Sequence, residues 1–155
     1  MNEQVLDKMS SFFYNELLKN LSNVFIFKDD DNSYLLYDRY YVTKTDKGIE
    51  VTLKYGHNNK VFNTLQNAVT WCIYDKRNKI DIANRVEFLD QMISGLNSSI
   101  SINKKIIGGK NDLDTKYIAL AKLSESKYKK KNMMNELLGY VRDSKEWQLK
   151  QFSKN

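Results

Sequence analysis

Residues 34–77, YLLYDRYYVTKTDKGIEVTLKYGHNNKVFNTLQNAVTWCIYDKR, decide the fold, because alternating apolar and polar residues joined by tight turns run directly into a helix start. Segments 39–44 and 49–55 flank Thr45-Asp46-Lys47-Gly48, and Gly48 can supply the positive φ that a short hairpin needs. In a strand with period two, Ile49, Val51, Leu53 and Tyr55 share one face opposite Glu50, Thr52 and Lys54. Tyr40 and Val42 likewise oppose Arg39, Tyr41 and Thr43. One face should be core and the other solvated. Gly56-His57-Asn58-Asn59 makes a further turn into a short closing strand over 60–62. Asn63-Thr64-Leu65-Gln66 then reads as a capping box with Asn63 as its cap. Leu65, Ala68, Val69, Cys72 and Ile73 share the inner face of the helix that follows. Trp71 and Tyr74 lie well round the cylinder and need cover from a later helix or a partner.

Upstream, Val5, Met9, Phe12, Phe13, Leu17 and Leu21 recur at helical spacing and predict an amphipathic helix over 3–21. Val24-Phe25-Ile26-Phe27 favours a strand, and Asp29-Asp30-Asp31-Asn32 a polar turn into a second strand around 34–37. Downstream, Asp81 reads as an N-cap. Ile82, Val86, Leu89 and Ile93 form a stripe that stops before Gly95, giving a helix over roughly 82–94. Residues 98–103 alternate Ile100 and Ile102 with polar residues, as a strand or extended linker would. After a cap at Asn111 or Asp112, the positions of Leu113, Tyr117, Leu120, Met134, Leu138 and Val141 predict one long helix, or two with a break near 126–131. The expected class is α+β: an N-terminal helix, a small antiparallel sheet of three to five strands, two middle helices and a long C-terminal helix. Residues 1–110 form the α+β domain, and residues 111–155 a helical arm packed on the same core.

Composition narrows the classes of function. At 155 residues the chain can bury one core, and 41% apolar with 12% aromatic residues is the composition of a folded, soluble protein. No apolar run approaches the roughly 18 residues that span a bilayer, and neither a membrane anchor nor a secretory signal is readable. A lone cysteine excludes an internal disulfide and a multi-thiolate zinc site, which suits a reducing compartment. The chain has no proline, so its helix ends rely on Asn, Asp, Ser and Gly. Net charge is +6 but polarised: residues 1–50 carry −3, residues 51–100 +2 and residues 101–155 +7. Such a gradient can hold an acidic surface or a phosphate backbone, or can simply keep a lysine-rich helix solvated.

Catalytic patterns are weak. His57, the only histidine, sits in a turn, and Cys72 falls on a helix's inner face. The run Asp29–Asp31 lacks the glycine and glutamate of a calcium loop, with Tyr34 and Tyr40 at those positions. Gly108-Gly109-Lys110-Asn111 has Lys104 where a phosphate loop needs its first glycine, and Asn111 in place of Ser or Thr. The carboxylates Asp112 and Asp114 are explained as a helix start. The chain is therefore expected not to be an enzyme, with no catalytic residue, cofactor or metal.

Binding is better supported. The stretch YYVTKTDKGIEVTLKYGHNNKVFNTLQNAVTW resembles the sheet-and-helix DNA-binding module of tyrosine recombinases. That resemblance implies that Arg39, Tyr41, Thr43, Thr52 and Lys54 face the major groove, although Glu50 adds a negative charge there. Lys122, Lys127, Lys129, Lys130 and Lys131 would hold phosphates. The segments SSFFYNELLKNL, NAVTWCIYDKRNK and KYKKKNMMNELLGYVRDSKEWQLKQF resemble small uncharacterised proteins of tailed phages infecting marine bacteria. This implies a viral protein of the host cytoplasm or virion, without a known active site. The leading expectation is a non-catalytic phage interaction protein, a virion or assembly component, that binds partners through Met133, Met134, Leu137, Leu138, Val141, Trp147 and Phe152. Its partners would be other phage or host proteins, further copies of the chain being allowed. The alternative is a nucleic-acid-binding accessory protein.

Overall fold

The computed structural model describes residue 15, residues 26–30, 33–56 and 59–153. The helix expected over 3–21 and the turn residues His57 and Asn58 lie outside the described residues. Five strands follow one another as an antiparallel meander in the order β1 (Ile26–Asp30), β2 (Ser33–Leu36), β3 (Tyr40–Thr45), β4 (Gly48–Leu53) and β5 (Asn59–Phe62). Three helices come after: α1 (Leu65–Lys76), α2 (Ile80–Gly108) and α3 (Leu113–Ser153). The class is α+β.

Register follows the turn chemistry. Tyr37 and Asp38 take φ of 55° and 53°, and the Arg39 N–H donates to the Leu36 carbonyl at 3.0 Å, making the two-residue turn whose twist suits a hairpin. Gly48 sits at φ 136° opposite Thr45, as the β3–β4 hairpin requires. With that register Tyr34, Leu36, Tyr40, Val42, Ile49, Val51 and Phe62 all fall on one buried face. Asp29 and Asp30 belong to β1 rather than to a turn, because Asp30 pairs with Ser33 across a bulge.

The helices cover that buried face. Leu65, Ala68, Val69, Cys72 and Ile73 of α1 pack in the core, as their shared face predicts. Trp71 and Tyr74 are also buried. The sheet covers Trp71 through edge-on Tyr40 and tilted Phe62, both at 6.0 Å between centroids, and α3 covers Tyr74 through Tyr140 at 6.0 Å. The cap of α1 is Thr64, whose hydroxyl accepts from the Asn67 N–H at 3.1 Å, and not Asn63. The helix ends with Asn78 at φ 60°; the Lys79 N–H reaches the Tyr74 carbonyl at 2.9 Å and the Asn78 N–H that of Asp75 at 3.0 Å.

Two expectations about the later helices are corrected, and of the two alternatives for the C-terminal segment the single long helix is the one found. Lys79, not Asp81, precedes α2, and Asp81 lies in its first turn, where its charge suits the helix dipole. The helix runs through Gly95 and the Ser-rich 98–103 stretch to Gly108, because this stretch packs on α3: Ser99 meets Ser126 at 3.2 Å, and Asn103 is buried with its Nδ2 donating to the Ser99 carbonyl at 2.8 Å. Helix α3 has no break near 126–131. Lysine is a good helix former, Lys129 pairs with Glu125 at 2.9 Å, and Ser126 is buried within 3.2 Å of Ser99.

Candidate interaction surface

Helix α3 carries two apolar rows. At about 100° per residue, Ala119, Leu123, Ser126, Leu137, Val141, Ser144 and Gln148 fall on one side of the cylinder and are buried. Leu113, Tyr117, Leu120, Tyr128, Leu138 and Leu149 fall within a second sector about a third of a turn away, and all are exposed, from 43% at Leu138 to 70% at Leu113. The residues expected to bind a partner mostly face inward instead. Leu137 belongs to the core and Val141 is buried, while Met133, Met134 and Trp147 pack against the core. Only Leu138 lies on the outer row, and Phe152 is in the last turn of α3.

The inner side is fastened at its C-terminal half. Arg77 lies 5.3 Å from the ring centres of both Tyr74 and Trp147, and its Nη1 donates to Asp143 at 2.9 Å. The Tyr74 hydroxyl donates to the same carboxylate at 2.7 Å, and together these contacts hold the Asp143 carboxyl below its ordinary range. Trp147 also meets Tyr37 at 6.5 Å. Arg85 of α2 binds Glu136 through two hydrogen bonds of 2.6 and 2.8 Å, which lowers the Glu136 carboxyl likewise.

The N-terminal half differs. Between residues 97 and 131 the buried side chains are Asn103, Ala119, Leu123 and Ser126, small or polar apart from Leu123, while Ile102, Leu113, Tyr117, Ile118, Leu120 and Tyr128 point to solvent. In this part of the α2–α3 hairpin the apolar side chains lie largely on the outside.

The residues placed on DNA by the recombinase resemblance are only partly gathered. Tyr41 and Thr52 pair across β3 and β4, with Thr43 opposite Glu50 beside them. The polar groups of Thr43, Thr52 and Glu50 are engaged: Ser33 with Thr43 at 2.9 Å, Thr52 with Asn59 at 3.2 Å, and Asn59 with Glu50 at 2.6 Å. Lys54 is held by Asp38 at 2.8 Å, and Arg39 turns to Asp75 of α1 at 3.6 Å. The five lysines do not share a face either. Lys129 pairs with Glu125, Lys130 lines a cleft beside the start of α1, and Lys122 lies on the opposite side of α3 from Lys127 and Lys131, which are one turn apart.

That cleft, about 450 Å3, lies between the α1 N-terminus, α2 and α3. Its carboxylate, Asp90, is 2% exposed and accepts from the Asn63 N–H at 3.1 Å, from Asn63 Nδ2 at 3.0 Å and from Asn67 Nδ2 at 2.8 Å. It splints α2 to the β5–α1 junction. Asp112 accepts from the Thr115 N–H at 2.8 Å, which caps α3, and hydrogen bonding first from the Thr115 side chain and then from its N–H lowers the Asp112 carboxyl. Cys72 is fully buried, and burial pushes its thiol well up. Among the described residues no group of three His, Cys, Asp or Glu could hold a metal ion, and no helix is long and apolar enough to cross a membrane.

Sequence periodicity could find both rows of α3 but could not say which was inside. No family model matches the chain, and no curated protein or solved structure matches it.

Proposed function

We propose that the chain is a non-catalytic interaction protein that docks another protein on the outer row of α3, as a phage virion or assembly component or in the host cytoplasm. The observation that supports this is the distribution of apolar surface between residues 97 and 131, where the exposed side chains are larger and more apolar than most of those buried in the seam. Exposed rows of this kind lower their free energy by meeting a second surface. The phage resemblance supplies the setting. In-cell photo-crosslinking from benzoylphenylalanine at Ser124, on the outer row, tests the reading. An adduct with a second protein is expected, and absence of any adduct from this row would overturn it. Mass spectrometry of purified virions would place that partner inside or outside the particle.

Charge favours a second reading. Residues 101–131 hold nine lysines and three acidic residues, a surplus equal to the whole net charge of +6. A nucleic-acid-binding accessory protein would use this as a diffuse, salt-sensitive phosphate contact. Filter retention of nucleic acid at low salt is its test, and no retention removes it.

A further inference from the structure

We infer that the occupant of the outer row is an acidic amphipathic helix of another protein. This rests on the docking reading above and deepens it. Leu113, Tyr117, Leu120, Tyr128, Leu138 and Leu149 are spaced by whole numbers of turns over 36 residues, a straight strip about 54 Å long. The strip is one side chain wide, apolar every three to four residues over 113–120 and more sparsely at 128, 138 and 149, with Ser124, Lys131, Asn135 and Arg142 between; a narrow row along one helix is the shape that a second helix packs against. Taking about 150–250 Å2 for a fully exposed large side chain, the six residues present roughly 600 Å2. That area is spread along the strip rather than gathered in one patch, and a partner that also covers the polar side chains between would bury an area near the roughly 800 Å2 that one side of a stable complex contributes.

Charge selects the kind of helix. The ionic side chains sharing the sector are Lys127, Lys131, Arg142 and Lys145, against Glu146 alone. Among the described residues none of these four cations has an ion-pair partner. A partner with carboxylates flanking its apolar ridge would neutralise them, whereas a second copy would bring the same cations to the seam.

The test uses the full chain and two synthetic helical peptides with the same leucine ridge, one flanked by glutamates and the other by lysines. Fluorescence anisotropy should show the acidic peptide bound at least about tenfold more tightly than the basic one. The preference should shrink as salt rises. Tyr117→Glu with Leu120→Glu should abolish binding while helical circular dichroism is unchanged. Equal binding of the two peptides, or unchanged binding by the double variant, would overturn the inference. So would a dimer in light scattering that the double variant dissolves. If crosslinking from Ser124 yields an adduct that the acidic peptide does not suppress, the docking reading stands and the acidic-helix inference fails. If there is no adduct, both fail.

Discussion

The Tyr74 hydroxyl donates at 2.7 Å to the carboxylate of Asp143, 69 residues further along the chain, and so ties the C-terminal half of α3 to α1. Arg77, the residue that follows the last turn of α1, reaches the same carboxylate. The folded-state value of Asp143 lies below its ordinary 3.8, so its contribution to stability is full above pH 3.8 and is lost as pH falls through the depressed value. Asp143→Asn should therefore lower the urea midpoint at neutral pH and converge with the parent in acid. The carboxylate is half exposed, so solvent screening limits the neutral-pH loss to about 1 kcal/mol or less.

Asp90 should matter more. Asp90→Ala leaves the Asn63 N–H and the Asn67 amide without their acceptor in a site where Asp90 is 2% exposed. Urea denaturation should register a loss of about 2–4 kcal/mol. The exposed Asp38, paired with Lys54 at 2.8 Å, makes the control: Asp38→Asn, which removes the charge and keeps a residue suited to φ of 53°, should leave the midpoint in place.

Glycines provide an internal contrast. At Gly48 a Cβ would stand 2.5 Å from the Phe62 carbonyl oxygen, with φ at 136°, so Gly48→Ala should cost about 1–3 kcal/mol and loosen β4 against β5. Gly95 and Gly139 lie inside helices with nothing within 4 Å of a built Cβ. Alanine at either should raise thermal stability by about 0.5–1 kcal/mol.

Cys72 should be inert to alkylation until the chain unfolds, since burial pushes its thiol well above the ordinary range. Labelling by a maleimide should follow the urea transition, and rapid labelling of the native protein would contradict its place in the core.

The sheet was readable because several local signals agreed: the period-two alternation of Tyr40, Val42, Ile49 and Val51, and a glycine at the positive-φ position of the β3–β4 hairpin. The long helices were less so. Gly95 and Ser98 look like terminators taken alone, but the seam with α3, where Ser99 meets Ser126 at 3.2 Å, keeps α2 going. On α3 the periodicity placed Leu113, Tyr117, Leu120, Met134, Leu138 and Val141 in one pattern. The structure separates Met134 and Val141, turned inward, from the other four, because a helix with two apolar rows does not encode which one its neighbours will take. Five of the seven residues expected to bind a partner, Met133, Met134, Leu137, Val141 and Trp147, face inward for that reason. Arg77, between Tyr74 and Trp147, gives that half of α3 an intramolecular use.

The double substitution Tyr117→Glu with Leu120→Glu, read by urea denaturation and by crosslinking from Ser124 on the same sample, tests the outer row most directly. The account predicts a midpoint equal to that of the parent, with Leu137→Ala losing about 2–5 kcal/mol as the core control, and disappearance of the adduct. A fall in midpoint comparable to the Leu137→Ala loss, with the adduct intact, would mean that the row stabilises the chain's own fold and docks nothing.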